Sequence, residues 1–180
     1  MALEIEPNGK MLDVIDALAK IPGSKPVSPE NIHVTMKFLG EVKASRLQEI
    51  TDAACAACAG FEPFQAELKG VGVFAHPGKA RVFWLGLEPA DRMKSLAGKI
   101  DEEMSHLGFE REKRDFSAHV TLARFRKRPR PGHVKELLEK WDKESFGSQL
   151  VDGVAVKKST LTPRGPIYET VGTARLGARK

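Results

Sequence analysis

The chain has 180 residues, 41% of them hydrophobic, and 29 basic residues against 24 acidic ones give a net charge of +5. That length suits one domain, since domains run roughly 100–200 residues, and no apolar run approaches the 18 or so residues of a membrane span. The mild basic excess fits a nucleic-acid or phosphate partner without requiring one. No basic stretch leads into a long apolar run at the N-terminus, and the only cysteines are Cys55 and Cys58, so a reduced, cytoplasmic location is expected.

In chain order, residues 2–6 read as a short strand. After Pro7 a helical pattern places Met11, Leu12, Ile15, Leu18 and Ala19 on one side, and Pro22-Gly23 stops it. Asn31 to Phe38 alternates as a strand does. Val42 to Ala59 is Ala-rich and helical, closed by Gly60. Pro63 to Leu68 and Ala80 to Leu87 read as strands, with the turn-rich His76-Pro77-Gly78 between them. Pro89 to Leu107 forms a second long helical pattern with Gly108 as its stop. His119 to Phe125 is a strand, followed by a basic loop and a helix from about His133 to Trp141. Val154 to Leu161 and Ile167 to Val171 read as strands around the turn Pro163-Arg164-Gly165-Pro166. With no Gly-rich phosphate loop after a strand, the pattern favours an α+β fold with antiparallel sheets in a single domain over residues 1–180.

One coarse repeat stands out. His33-Val34-Thr35-Met36 and His119-Val120-Thr121-Leu122 lie 86 residues apart, each early in a strand and each followed by helical sequence. Two related lobes, each supplying one His-x-Thr, are expected. Side chains alternate across a strand, so His33, Thr35 and Lys37 should share one face, with Val34, Met36 and Phe38 pointing into a core. His119 and Thr121 should likewise share a face. Each motif then offers an imidazole beside a hydroxyl on a rigid support. Histidine titrates near pH 6.5, so one imidazole can act as base and the other as acid across a phosphate. The threonines can hydrogen-bond phosphate oxygens, and Arg124 can offset charge that builds up in the transition state. Arg124 follows His119 by five residues, however, so an ideal strand would turn it to the opposite face; a bulge, strong twist or strand end must re-aim it.

Pro29-Glu30-Asn31-Ile32-His33-Val34-Thr35-Met36-Lys37-Phe38-Leu39-Gly40-Glu41-Val42 resembles the first signature of the two-histidine (2H) phosphoesterase superfamily. More narrowly it resembles the branch of RNA 2′,3′-cyclic phosphodiesterases, also called 2′-5′ RNA ligases. Phe116-Ser117-Ala118-His119-Val120-Thr121-Leu122-Ala123-Arg124 matches the second signature, with Ala118 where the family often has proline, and Met36 stands in for a usual leucine. Gly70 to Phe74, Arg81 to Gly86 and Leu161 to Tyr168 also look like family segments, so the resemblance covers nearly the whole chain.

The resemblance implies a bilobal fold with pseudo-twofold symmetry, each lobe an antiparallel sheet with flanking helices, and a cleft between the sheets. It implies hydrolysis of an RNA terminal 2′,3′-cyclic phosphate to a 2′-phosphate, with His33 as proton donor, His119 as proton acceptor, and Thr35, Thr121 and Arg124 holding the phosphate. Reversible 2′-5′ RNA ligation comes with the family. No cofactor or metal is implied, and a monomer without membrane contact is expected. The motifs alone leave open a small cyclic nucleotide or ADP-ribose cyclic phosphate as substrate, or a non-catalytic RNA-binding module.

Other features carry less. Cys55-Ala56-Ala57-Cys58 lies late in a helix, without further ligands at zinc spacing, and reads as a structural pair. The run from Arg124 to Arg130 reads either as a solvated loop or as an electrostatic track for RNA. His76, His106 and His133 read as non-catalytic. Trp84, Trp141 and Tyr168 read as core or wall residues, with Tyr168 or Phe38 able to stack on a base.

Overall fold

The computed structural model describes residues 1–76, 79–163 and 165–177. The elements run β1 (Ala2–Glu4), α1 (Gly9–Ala19), β2 (Ser24–Pro26), β3 (His33–Thr35), α2 (Leu47–Cys58), β4 (Phe64–Ala75), β5 (Ala80–Glu88), α3 (Ala90–His106), β6 (His119–Phe125), α4 (Pro131–Trp141), β7 (Ser145–Val151), β8 (Gly153–Thr162) and β9 (Gly165–Arg175). The expected turn at His76-Pro77-Gly78 and that around Arg164 fall partly outside the described residues.

The helices form near where the apolar spacing expects them, but α2 begins at Leu47 and not at Val42, and Leu12 and Ala19 of the expected apolar side of α1 are exposed. In α1, Met11, Val14, Ile15 and Leu18 are buried, and in α3, Met93, Leu96, Ala97, Ile100 and Met104 are, each set recurring at three and four residues. Asn8 caps α1 by accepting from the Met11 N–H at 3.1 Å, and its amide nitrogen donates to the Phe146 carbonyl, tying the cap to β7.

All strand pairs are antiparallel, in the order β7-β4-β5-β6-β3-β1-β8-β9, with β2 pairing to β6 beside β3. The order is a palindrome about its centre. β6-β5-β4-β7 on one side answers β3-β1-β8-β9 on the other, and the units β1-α1-β3-α2 and β5-α3-β6-α4 repeat in sequence. The two lobes are therefore related by a pseudo-twofold axis, and the 86-residue spacing of the motifs is the spacing of the repeat. Where two separate sheets were expected, one seam joins them: Val34 of β3 pairs with Val120 of β6.

Several boundaries differ from the sequence reading. β3 stops at Thr35 instead of running to Phe38, because both the Met36 and Lys37 N–H groups turn to the Met1 carbonyl, at 2.9 and 3.3 Å. The alternation breaks there. Lys37 is buried and ion-paired to Asp101 at 2.6 Å, while Phe38 is 82% exposed. Both outcomes reverse the expected faces. β4 extends past Leu68 to Ala75, and β2 and β7 form without a clear apolar alternation of their own. Cys55 is exposed and Cys58 is buried in the core of α2, where desolvation pushes its thiol up to about 12. No helix of the described residues is long and apolar enough to cross a membrane.

Candidate active site

The seam positions both motifs at once. Val34 and Val120 are fully buried and lie directly opposite each other. Their neighbours must then face the other side of the sheet. Continuing the antiparallel register puts His33 across from Thr121 and Thr35 across from His119. The two histidines thus sit diagonally about the seam, each with its own motif's hydroxyl on the same face.

His33, Thr35, His119, Thr121 and Arg124 all line one cleft of about 600 Å³, together with Lys25, Asn31, Phe38, Ile167 and Tyr168. The structure thus brings all five sequence-predicted site residues together. His76, His106 and His133 do not line it.

Arg124 reaches this face through a bulge. Along β5 and β6 the register runs Gly86↔His119, Leu85↔Val120, Trp84↔Thr121, then slips to Phe83↔Ala123 and Val82↔Arg124. Leu122 is the extra residue. Leu122 and Ala123 are both fully buried, so the inside–outside phase shifts by one and Arg124 emerges on the side of His119 and Thr121.

The two imidazoles are held the same way. His33 Nδ1 lies 2.7 Å from the Asn31 carbonyl, and His119 Nδ1 lies 2.8 Å from the Ser117 carbonyl. A carbonyl can only accept, so Nδ1 carries a proton in each ring and, in the neutral form, Nε2 carries the lone pair. Both imidazoles thereby present Nε2 as the ring atom able to exchange a proton. Each ring also meets an aromatic edge-on: His33 with Tyr168 at 5.1 Å and His119 with Phe74 at 4.8 Å.

Their surroundings otherwise differ. His33 Nε2 is 3.1 Å from Thr35 Oγ1. Burial is the main reason its pKa is held below the ordinary histidine value; the Asn31 carbonyl opposes this, and Lys157, the N-terminal amine and Arg124 add to it. Asn31 has a second task. Its side chain donates to the Pro166 carbonyl at 3.1 Å, fastening the β8–β9 hairpin beside the cleft.

Lys25 is a site residue that the sequence does not announce. It pairs with Arg124 across β2 and β6, and both line the cleft. Like charges directly opposite on one face of a sheet destabilise it, and an anion between them removes that cost. The cleft therefore has a cationic wall at Lys25 and Arg124. The same cleft has a largely apolar rim of Phe38, Ile167 and Tyr168, with Phe38 and Ile167 82% and 61% exposed.

The sequence model of the 2′-5′ RNA ligase superfamily matches residues 8–160. The chain belongs to this superfamily. Its relatives include an RNA 2′,3′-cyclic phosphodiesterase of Archaeoglobus fulgidus, 39% identical over 160 residues that cover 89% of this chain and 88% of that one. Another, from Thermotoga maritima, is 37% identical over 166 residues, covering 88% and 83%. Among solved structures, a Thermus thermophilus protein superposes with a TM-score of 0.78 at 26% identity, covering 99% of this chain and 97% of that one. Escherichia coli LigT in complex with 3′-AMP has a TM-score of 0.73 at 23% identity, covering 98% and 96%, and so shares the fold.

Proposed function

We propose that this protein hydrolyses the 2′,3′-cyclic phosphate at the 3′ end of an RNA to a 2′-phosphate, with His119 as base and His33 as acid. The observation that carries the reading is the Val34–Val120 pair, which supports two imidazoles with Nδ1 tied back to carbonyls and two hydroxyls in the cleft that Arg124 also lines. The names and identity levels of the relatives support the same substrate class.

In the reaction His119 Nε2 takes a proton from water as its oxygen bonds to phosphorus. The P–O3′ bond breaks, and His33 Nε2–H gives its proton to the departing 3′ oxygen. Thr35 and Thr121 donate to non-bridging oxygens, and Arg124 offsets the charge that develops on them. Burial works against His33 as an acid in the free protein. A bound phosphate anion beside it favours the protonated ring, so substrate binding charges the acid it needs. With the 5′-hydroxyl of a second RNA in place of water, the same groups form a 2′-5′ linkage.

Incubation with a nucleoside 2′,3′-cyclic phosphate in EDTA, followed by phosphorus NMR, tests the proposal. A 2′-phosphate product is expected. A 3′-phosphate product, or undiminished turnover in a His33→Ala, His119→Ala double mutant, refutes it.

A further inference from the structure

The cationic wall does not end at Arg124. From His119 to Arg130 the chain carries no acidic residue, and Arg126, Lys127, Arg128 and Arg130 follow Arg124, all exposed. The Arg126 N–H bonds to the Gly23 carbonyl at 2.9 Å, which extends the β2–β6 pairing by one residue. Phe125 is buried between Arg124 and Arg126. Arg126 thus repeats the outlook of Arg124 two residues on, about 6.8 Å further along the strand, a step comparable with that between phosphates of an extended nucleic-acid strand.

Among the described residues, Lys25, Arg124, Arg126, Lys127, Arg128 and Arg130 form no salt bridge. The lysines of β8 are neutralised instead, Lys157 by Glu4 at 2.6 Å and Lys158 by Glu169 at 3.8 Å. The positive charge left without a salt bridge among the described residues therefore runs out from the cleft over the β2–β6 edge.

We infer that the RNA strand on the 5′ side of the cyclic phosphate leaves the cleft along this edge, its phosphates held by Lys25, Arg126 and Arg128. A polynucleotide end is then a better substrate than a free cyclic mononucleotide. The inference rests on the phosphodiesterase reading and narrows it. Lys25 takes the phosphate nearest the cleft, and Arg126 and Arg128 take those beyond. Neither Arg126 nor Arg128 is needed for the chemistry on the terminal ring.

The test compares kcat/KM for a hexanucleotide ending in a 2′,3′-cyclic phosphate with that for a mononucleoside 2′,3′-cyclic phosphate, at several salt concentrations. Each phosphate held adds about 0.7 to the logarithmic salt slope for a single strand. Three of them predict that the hexamer-to-monomer ratio falls about 20-fold between 50 and 200 mM KCl. In an Arg126→Gln, Arg128→Gln variant one contact remains, and the fall shrinks to about threefold, with mononucleotide turnover unchanged. A ratio near one at every salt concentration, or a variant with the wild-type slope, overturns the track while leaving the phosphodiesterase reading intact. Turnover of neither substrate overturns both.

Discussion

Gly72 on β4 pairs with Trp84 on β5, and a Cβ placed on Gly72 would lie 2.1, 2.4 and 2.6 Å from three atoms of the indole ring. Carbon atoms in contact prefer about 3.5–4.0 Å, so Gly72→Ala forces the ring to shift by more than about 1 Å. The ring is not free to do so, since Phe74 packs on it at 5.4 Å and meets His119 at 4.8 Å. Overpacking of this kind costs about 1–3 kcal/mol, which for a chain of this size lowers Tm by about 2–12 °C. Because the displaced ring pushes Phe74 toward His119, kcat/KM should fall as well, at temperatures where the variant is still fully folded. Thermal melts and initial rates of the same preparations measure both effects. Gly98→Ala is the control: it lies inside α3 with nothing within 4 Å of its would-be Cβ, so it should stabilise by about 0.5–1 kcal/mol. A Gly72→Ala protein as stable as wild type would refute the argument, as would a Gly72→Ala, Trp84→Leu double variant no more stable than the additive expectation.

On the proposed mechanism each histidine makes one positioned proton transfer, so His33→Ala and His119→Ala should each lower kcat by about 10²–10⁴-fold with little change in folding; steady-state rates and circular dichroism separate the two effects. The pKa of His33 is depressed in the fold, chiefly by burial. If His33 is the acid, the alkaline limb of kcat/KM should therefore fall below the ordinary histidine value and rise in Arg124→Gln, read from pH–rate profiles. The same depression means the unfolded chain binds more protons in the window just below about pH 6.5. Stability contributed at His33 is full above that window and is lost as pH falls through it, which His33→Asn should abolish in melts taken across that range. Lys37 and Asp101 are a nearly buried ion pair, with side chains 6% and 14% exposed. Asp101 also keeps Arg111 at 2.7 Å and the Glu112 N–H at 3.0 Å, so Lys37→Met should cost about 1–3 kcal/mol in a urea titration, the loss of one buried partner.

The four residues of the twin motif are legible because alternation on a strand is a local property. Val34 and Val120 have only to be apolar and buried for His33, Thr35, His119 and Thr121 to face the cleft. The need for a bulge before Arg124 is legible for the same reason, since counting residues exposes the conflict, although only the pairing with β5 places it at Leu122. Lys25 is not legible. It acquires its role by lying opposite Arg124, 99 residues away in sequence, and Ser24-Lys25-Pro26 has no periodicity to mark it as a strand. Lys37 and Phe38 are misread because the alternation is carried past Thr35, where the chain leaves the strand to bond to the Met1 carbonyl. β7 escapes notice because its partner β4 precedes it by some eighty residues and only Phe146 and Val151 are buried along it.

The central pair of valines also bears on how such a protein tolerates change. The four polar side chains of the twin motif take their shared face from the course of two backbones and from two side chains that need only be apolar and compact. Hairpin tips and the outer faces of the helices can be rewritten without changing which way those groups point. Selection acting on which molecule enters the cleft is thereby uncoupled from selection on what happens to it once inside.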